Sequence, residues 1–277
     1  MTVIDAQVHI WKAETPDRPY AKEDASKPHR PIPLTYNSLL EEMTAAGVDR
    51  VILVPPSWEG YRNDYALEAA QKYPDRFAVM GKVSLNDSAS RERLPTWLKQ
   101  PGMLGFRISF RHSRTHTFLD DGTANWFWAD CERYDIPVMI FAPFMVAKIG
   151  AIAERHPGLR VIVDHMGLNV QWKGKDLGPG VDVLLKFAAY KNVAVKASCL
   201  PCYVAEPYPY PTLHAQIRRV VDAFGADRVM WGTDLSQLPC SYRQAVTLIT
   251  EELNFLSDSD KEWIMGKSLA QWLRWPL

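Results

Sequence analysis

The feature that most constrains the fold is a repeated alternation. Short runs rich in Val and Ile, each the length of a strand, are separated by stretches with the spacing of amphipathic helices. The runs are Val3 to Ile10, Arg50 to Pro55, Phe77 to Ser84, Leu104 to Phe110, Pro137 to Phe141, Val161 to Met166, Val193 to Ser198 and Val229 to Asp234. Helical spacing covers Tyr36 to Ala46, Asp64 to Lys72, Arg91 to Lys99, Asn125 to Tyr134, Ala147 to Arg155, Val181 to Tyr190 and Leu213 to Phe224, and two further segments, Tyr242 to Leu256 and Asp260 to Leu273, close the chain. Turn signals such as Gly47-Val48-Asp49 and His156-Pro157-Gly158 lead from helix straight into strand. Eight β-runs, each followed by a helix, predict an α/β protein built as a (β/α)8, or TIM, barrel in one domain over residues 1–277. The longest strand-to-helix connection, residues 11–33, carries Pro16, Pro19, Pro28, Pro31 and Pro33. Those prolines stiffen it, which suits a fixed pocket wall, with an oligomer contact as the competing use.

Charge narrows the partners. With 32 Lys and Arg against 32 Asp and Glu, the chain has no electrostatic footprint for nucleic acid or an anionic membrane surface. No apolar run is long enough to span a bilayer, and the opening MTVIDAQVHIW has neither a basic leader nor a cleavable apolar core. Cys131, Cys199, Cys202 and Cys240 are too few for a disulfide framework, and Cys199-Leu-Pro-Cys202 lacks a second ligand pair for structural zinc. The expectation is a cytoplasmic protein acting on a small molecule, with self-association left open.

In a barrel of this kind the chemistry sits where strands end. Those ends offer Gln7, His9 and Trp11; Ser57 and Trp58; Lys82 and Ser84; Arg107, Ser109 and Arg111; Phe141; His165; Lys196 and Ser198; and Asp234. Period-two alternation on the first strand assigns Ile4, Ala6, Val8 and Ile10 to the helix side, and Asp5, Gln7 and His9 to the barrel interior. Asp5, deeper than Gln7, is expected to be structural. Asp164, next to His165, is expected to face outward and support a loop or helix rather than catalyse. Trp58, Tyr61, Trp126, Trp128 and Tyr203 fall near the top loops, where pocket wall and ordinary core are both open readings.

Asp5-Ala-Gln7-Val-His9, Asp164-His165-Met-Gly and Trp231-Gly-Thr-Asp234, taken in this order, resemble the amidohydrolase superfamily. The nearest part is the amidohydrolase-related family of 2-pyrone-4,6-dicarboxylate lactonase, sulfomuconolactone hydrolase and fuconolactonase, alongside metal-dependent decarboxylases. Tyr73-Pro-Asp-Arg-Phe77, Gly105-Phe-Arg107 and Asn192-Val-Ala-Val-Lys196 extend the resemblance over the whole chain. Two positions depart from the family's metal-binding pattern. Gln7 stands where the strand-1 pair usually begins with His, and Phe141 stands where metal-dependent members place a strand-5 His.

The resemblance implies a hydrolase opening a small, anionic lactone. Asp234 is then the general base for water, with His9, His165 and Gln7 polarising the carbonyl. Arg107 and Arg111, joined by Ser109, Trp11 and Lys196, are expected to hold the substrate, since guanidinium binds carboxylate bidentately. For Lys196 an internal salt bridge to Asp5 or Asp234 is the open alternative. The basic run Arg111-His112-Ser113-Arg114-Thr115-His116 is either a clamp or a solvated loop. No cofactor is expected, and a single divalent ion such as Zn2+ on His9, His165 and Asp234 stays open. The alternatives are a metal-dependent decarboxylase or amide hydrolase on the same barrel, and a retired barrel that only binds a metabolite.

Overall fold

The structure, a computed structural model, describes residues 1–21, 27–111, 113–143 and 145–277. Eight parallel strands follow one another around a ring in sequence order: β1 Ile4–Val8, β2 Arg50–Leu53, β3 Phe77–Gly81, β4 Met103–Ser109, β5 Val138–Phe141, β6 Val161–Val163, β7 Val193–Ser198 and β8 Val229–Gly232. Helices alternate with them, as the (β/α)8 reading requires. The first, α1 (Tyr36–Ala46), shows why its sequence is helical. Thr35 accepts from the Ser38 N–H while the Ser38 hydroxyl reaches back, and Gly47 ends the helix in the left-handed conformation. The segments expected as continuous helices at Tyr242 to Leu256 and Asp260 to Leu273 are interrupted by π-turns at Leu248–Glu252 and Trp263–Lys267. In the second turn Gly266 lies so close to the Thr2 carbonyl that no Cβ would fit. No helix among the described residues is long and apolar enough to cross a membrane.

The ring closes between β8 and β1 without a regular ladder. The Asp234 N–H donates to the Gln7 carbonyl at 2.9 Å. The buried Asp5 carboxylate accepts from the Gln7 and Thr233 N–H groups at 2.9 Å each, from the Thr233 hydroxyl and, at 2.9 Å, from the Tyr242 hydroxyl. Burial pushes Asp5 up to about 6, and these donors pull against that rise. Asp5 is structural, as expected, but its direction is not the expected one. A register shift between Asp5 and Val8 breaks the alternation. Ile4 and Ala6 join the apolar barrel interior, Val8 and Ile10 the layer beneath the helices, and Asp5 meets Tyr242 on the helix side. The bulge returns Gln7 and His9 to the inside.

The interior has two levels. At the bottom, Ile4, Ile52, Met80, Met139, Ile162 and Met230 pack together, and Leu269, Leu273 and Trp275 of the C-terminal segment plug the open end. Above them the inward positions become Gln7, Arg107, Asp164 and Lys196. Asp164 thus points inward, against expectation. Inward Ile162 fixes the parity, so Asp164 follows it, and His165 reaches the mouth only because its backbone is left-handed (φ 55°). Cys199 after β7 (φ 58°) and Asp234 after β8 (φ 55°) make the same turn.

Candidate active site

The strand ends open on a cavity of about 230 Å³ whose lining includes His9, His29, Trp58, Lys82, Arg107, Ser109, Arg111, Phe141, His165, Cys199, Tyr203, Asp234 and Gln237. His9, His165 and Asp234 are brought together as the sequence suggested. His9 Nε2 lies 3.2 Å from Asp234 Oδ1, and His165 Nε2 lies 4.0 Å from Asp234 Oδ2.

Hydrogen-bond partners fix the protons. His9 Nδ1 sits 2.6 Å from the Val54 carbonyl oxygen, which can only accept, so Nδ1 carries the hydrogen. Burial lowers His9 to about 4, leaving a neutral ring with a lone pair on Nε2 at neutral pH. For His165 the chain of reasoning starts at Lys196. Its ammonium donates to Gln7 Oε1, so the Gln7 amide nitrogen is the group turned toward His165 Nε2, at 3.4 Å. That nitrogen therefore accepts, and Nδ1–H donates to the Ser198 hydroxyl at 2.8 Å. Burial lowers His165 to about 4 as well. Both imidazoles present an unprotonated Nε2 toward Asp234.

Burial works against the charge of Asp234, but His9 and His165, which become charged in the same acid range, together with His29 and Arg107, hold the carboxyl below its ordinary value. One oxygen, Oδ2, accepts from the Gln237 amide at 2.5 Å. The other, Oδ1, is buried with no hydrogen-bond donor. An acceptor facing an acceptor at 3.2 Å leaves this oxygen unsatisfied.

Beside it lies a carboxylate with a cation on each oxygen. Asp164 is paired with Lys196 Nζ at 2.8 Å and with Arg107 Nε at 2.9 Å. Burial alone would raise Asp164, but those two cations outweigh it and hold the carboxyl at about 2. Lys196 has no solvent exposure and does not line the cavity. Its ion pair is with Asp164, not with Asp5 or Asp234, and it acts on the site through Gln7 and Arg107. Gln7 itself is fully buried, beneath the lining. Trp11 is likewise behind the wall: fully buried, it braces Trp58 edge-to-face at 5.1 Å. The Arg107 guanidinium lies over the Phe141 ring at 5.2 Å, so Phe141 positions a cation. Ser109 and Arg111 line the cavity, and Arg111 has no ion-pair partner among the described residues. His112 lies outside the described residues.

His29 is the residue that sequence reasoning missed. The described part of the 11–33 segment folds over the mouth, tied at its base by Trp11 N–H to the Leu34 carbonyl. It delivers His29 against Trp58 at 4.8 Å, with Nδ1 2.8 Å from the Ser236 hydroxyl. Its only signal was a histidine between Pro28 and Pro31 in a stiff segment. Residues 22–26 of this segment lie outside the described residues. Of the aromatics near the top loops, Trp58, Tyr61 and Tyr203 line the cavity, whereas Trp128 belongs to the core.

Whether these residues suit a metal turns on the same orphaned oxygen. Two lone-pair nitrogens and one carboxylate, each imidazole held from behind at Nδ1, form a donor set suited to a single divalent cation. Gln7 and Phe141 leave no ligands for a second. Among the described residues no three His, Cys, Asp or Glu side chains are gathered closely enough to form a metal centre as they stand.

The chain is similar to known proteins. L-fucono-1,5-lactonase of Burkholderia ambifaria is 27% identical over 83% of this chain and 79% of its own length. 4-Sulfomuconolactone hydrolase of Hydrogenophaga intermedia is 25% identical over 83% of this chain and 73% of its own. Among solved structures, a zinc-bound amidohydrolase from Burkholderia multivorans superimposes with a TM-score of 0.81 at 22% identity, covering all of both chains. The amidohydrolase family model itself matches residues 4–270, and the chain therefore belongs to the amidohydrolase family.

Proposed function

We propose that the protein is a hydrolase that opens a small anionic lactone, with Asp234 as the base that activates water. The observation that carries this reading is the pair of facing acceptors, Asp234 Oδ1 and His9 Nε2, 3.2 Å apart. A water molecule satisfies both by donating one O–H to each, which aims its remaining lone pairs at the cavity. Asp234 then takes a proton as the water oxygen bonds to the lactone carbonyl carbon.

The tautomers change the expected division of labour. Neutral His9 and His165 have no Nε2–H to give a developing oxyanion, and Gln7 is below the lining. We assign the oxyanion to Arg107, which is fixed by Asp164 and by the Phe141 ring beside His165. Substrate charge follows from the lining: Lys82, Arg107 and Arg111 face a cavity to which, among the described residues, Asp234 contributes the only carboxylate. Arg111, at the exposed mouth, is the hold for a substrate carboxylate. Curated relatives named for lactone hydrolysis support the reaction type.

A divalent cation, when bound, would be held by His9, His165 and Asp234 and would supply Lewis-acid polarisation.

The experiment is a pH-stat assay on carboxylated lactones, run beside a carbon dioxide assay on carboxylated phenols. Acid release from the lactones, with no gas from the phenols, is expected. Carbon dioxide release without lactone opening would replace this reading with the decarboxylase one.

A further inference from the structure

Hydrolysis of a lactone needs a second proton transfer, to the ring oxygen that leaves. We propose that Lys82 is the acid that protonates this oxygen, so that Asp234 and Lys82 handle the two proton transfers from different sides of the barrel mouth. This inference rests on the lactonase reading above.

Lys82 directly follows β3, three strands round the ring from β8, and lines the same cavity as Asp234. Its backbone is held on both sides by one side chain. The Asn63 amide donates to the Lys82 carbonyl at 3.0 Å, and the Lys82 N–H donates to Asn63 Oδ1 at 2.8 Å. The ammonium itself is much less bound. Nζ donates to the Pro56 carbonyl at 3.2 Å and has no carboxylate within ion-pair distance among the described residues. Glu59, the acidic group whose field reaches it, is already held by Arg18 through two hydrogen bonds of 2.9 and 3.1 Å. Arg107 projects into the cavity from the adjacent strand. The other charged or titratable groups on the lining are His9, His29, Arg111, His165, Asp234, Tyr61, Tyr203 and Cys199, and none is hydrogen-bonded to Lys82.

An ammonium is strongly hydrated, and here it is largely withdrawn from water, next to another cation and without a counter-ion. Burial and Arg107 bring Lys82 down to about 7, with Glu59 opposing only in part. That places it near the optimum for an acid working at neutral pH. Lys196 is the contrast: fully buried where Lys82 is only partly so, it is held by Asp164 and Gln7 and has no face on the cavity.

The tetrahedral adduct collapses, the ring C–O bond breaks and its electron pair goes to the ring oxygen. That oxygen takes a proton from Lys82 Nζ, leaving a neutral amine. The product is the ring-opened hydroxy acid. Solvent recharges Lys82, and the proton on Asp234 leaves to solvent.

The test compares δ-valerolactone, whose leaving group is an alkoxide that needs an acid, with dihydrocoumarin, whose phenoxide leaves without one. Lys82→Arg keeps the positive charge but cannot give up its proton near neutrality, and Lys82→Met removes both. Both variants are expected to lose kcat on δ-valerolactone by about 10²–10⁴-fold and to lose far less on dihydrocoumarin. In 15N-lysine-labelled protein the Nζ resonance absent from Lys82→Arg should titrate near neutrality. Equal losses on both lactones, rescue of δ-valerolactone by Arg, or titration of Lys82 in the ordinary lysine range would overturn the proposal. Should the unsubstituted enzyme open neither lactone nor the carboxylated ones, the lactonase reading itself fails. An active enzyme with uniform variant losses removes only the role of Lys82.

Discussion

Two charged regions share the top of this barrel, and they are satisfied to opposite degrees. In the first, Asp164, Lys196, Arg107 and Gln7 form a closed set in which the buried charges pair at 2.8 and 2.9 Å and Gln7 is held by the ammonium. In the second, Asp234 Oδ1 faces a lone pair on His9, and Lys82 has only a backbone carbonyl. Leaving buried polar groups unpaired is costly, so a fold keeps them where a ligand or a proton will complete them. Asp164, Lys196 and Gln7, all off the lining, are scaffold that holds Arg107 in place, and the proposed chemistry falls where Arg107, Asp234 and Lys82 reach the cavity. The difference also separates Lys82 from Lys196 and Asp234 from Asp164.

The comparison breaks first at Lys196. Replacing it with Met leaves Asp164 buried with Arg107 as its remaining cation. Loss of one partner of a buried pair typically costs about 3–5 kcal/mol. Urea unfolding should show a drop of that order, and a loss below about 1 kcal/mol would mean the set is not structural.

Asp5 gives a pH-dependent version. Its folded value of about 6 exceeds the unfolded 3.8, so its contribution to stability is fully present below about pH 4 and lost as pH rises through 6. Asp5→Asn does not titrate, so relative to the native protein it should gain about 3 kcal/mol between pH 4 and 7, at about 1.4 kcal/mol for each tenfold difference in proton affinity between the folded and unfolded chain. A thermal midpoint difference that stays flat across that window would remove the raised carboxyl.

The smallest expected effect lies at the mouth. Arg111 is exposed, so Arg111→Ala should raise KM for carboxylated lactones about tenfold relative to neutral ones, the equivalent of one charge-assisted hydrogen bond, with kcat little changed. An unchanged ratio would move the anion hold elsewhere.

The strands were legible because hydrophobic periodicity reports burial, and β1 to β8 lie within the eight predicted runs apart from a one-residue offset at the start of β4. His9, His165 and Asp234 were legible from their motifs at strand ends. What the sequence hid was local backbone geometry. The bulge between Asp5 and Val8 turned Asp5 outward, and left-handed residues at His165 and Asp234 let the mouth escape strict alternation. Neither leaves a composition signal. His29 and the pairing of Lys196 with Asp164 depend on contacts between segments far apart in the chain, 207 positions for His29 with Ser236, which no local pattern records.

The central claim is that Asp234, with one carboxylate oxygen held by Gln237 and the other facing His9 without a donor, is the base of a lactonase. Asp234→Asn keeps the shape and the Gln237 contact but cannot accept the proton of water. Turnover of a carboxylated lactone should fall about 10²–10⁴-fold with KM and the circular dichroism spectrum unchanged. A folded Asn variant that retains more than about a tenth of the native kcat would contradict the account.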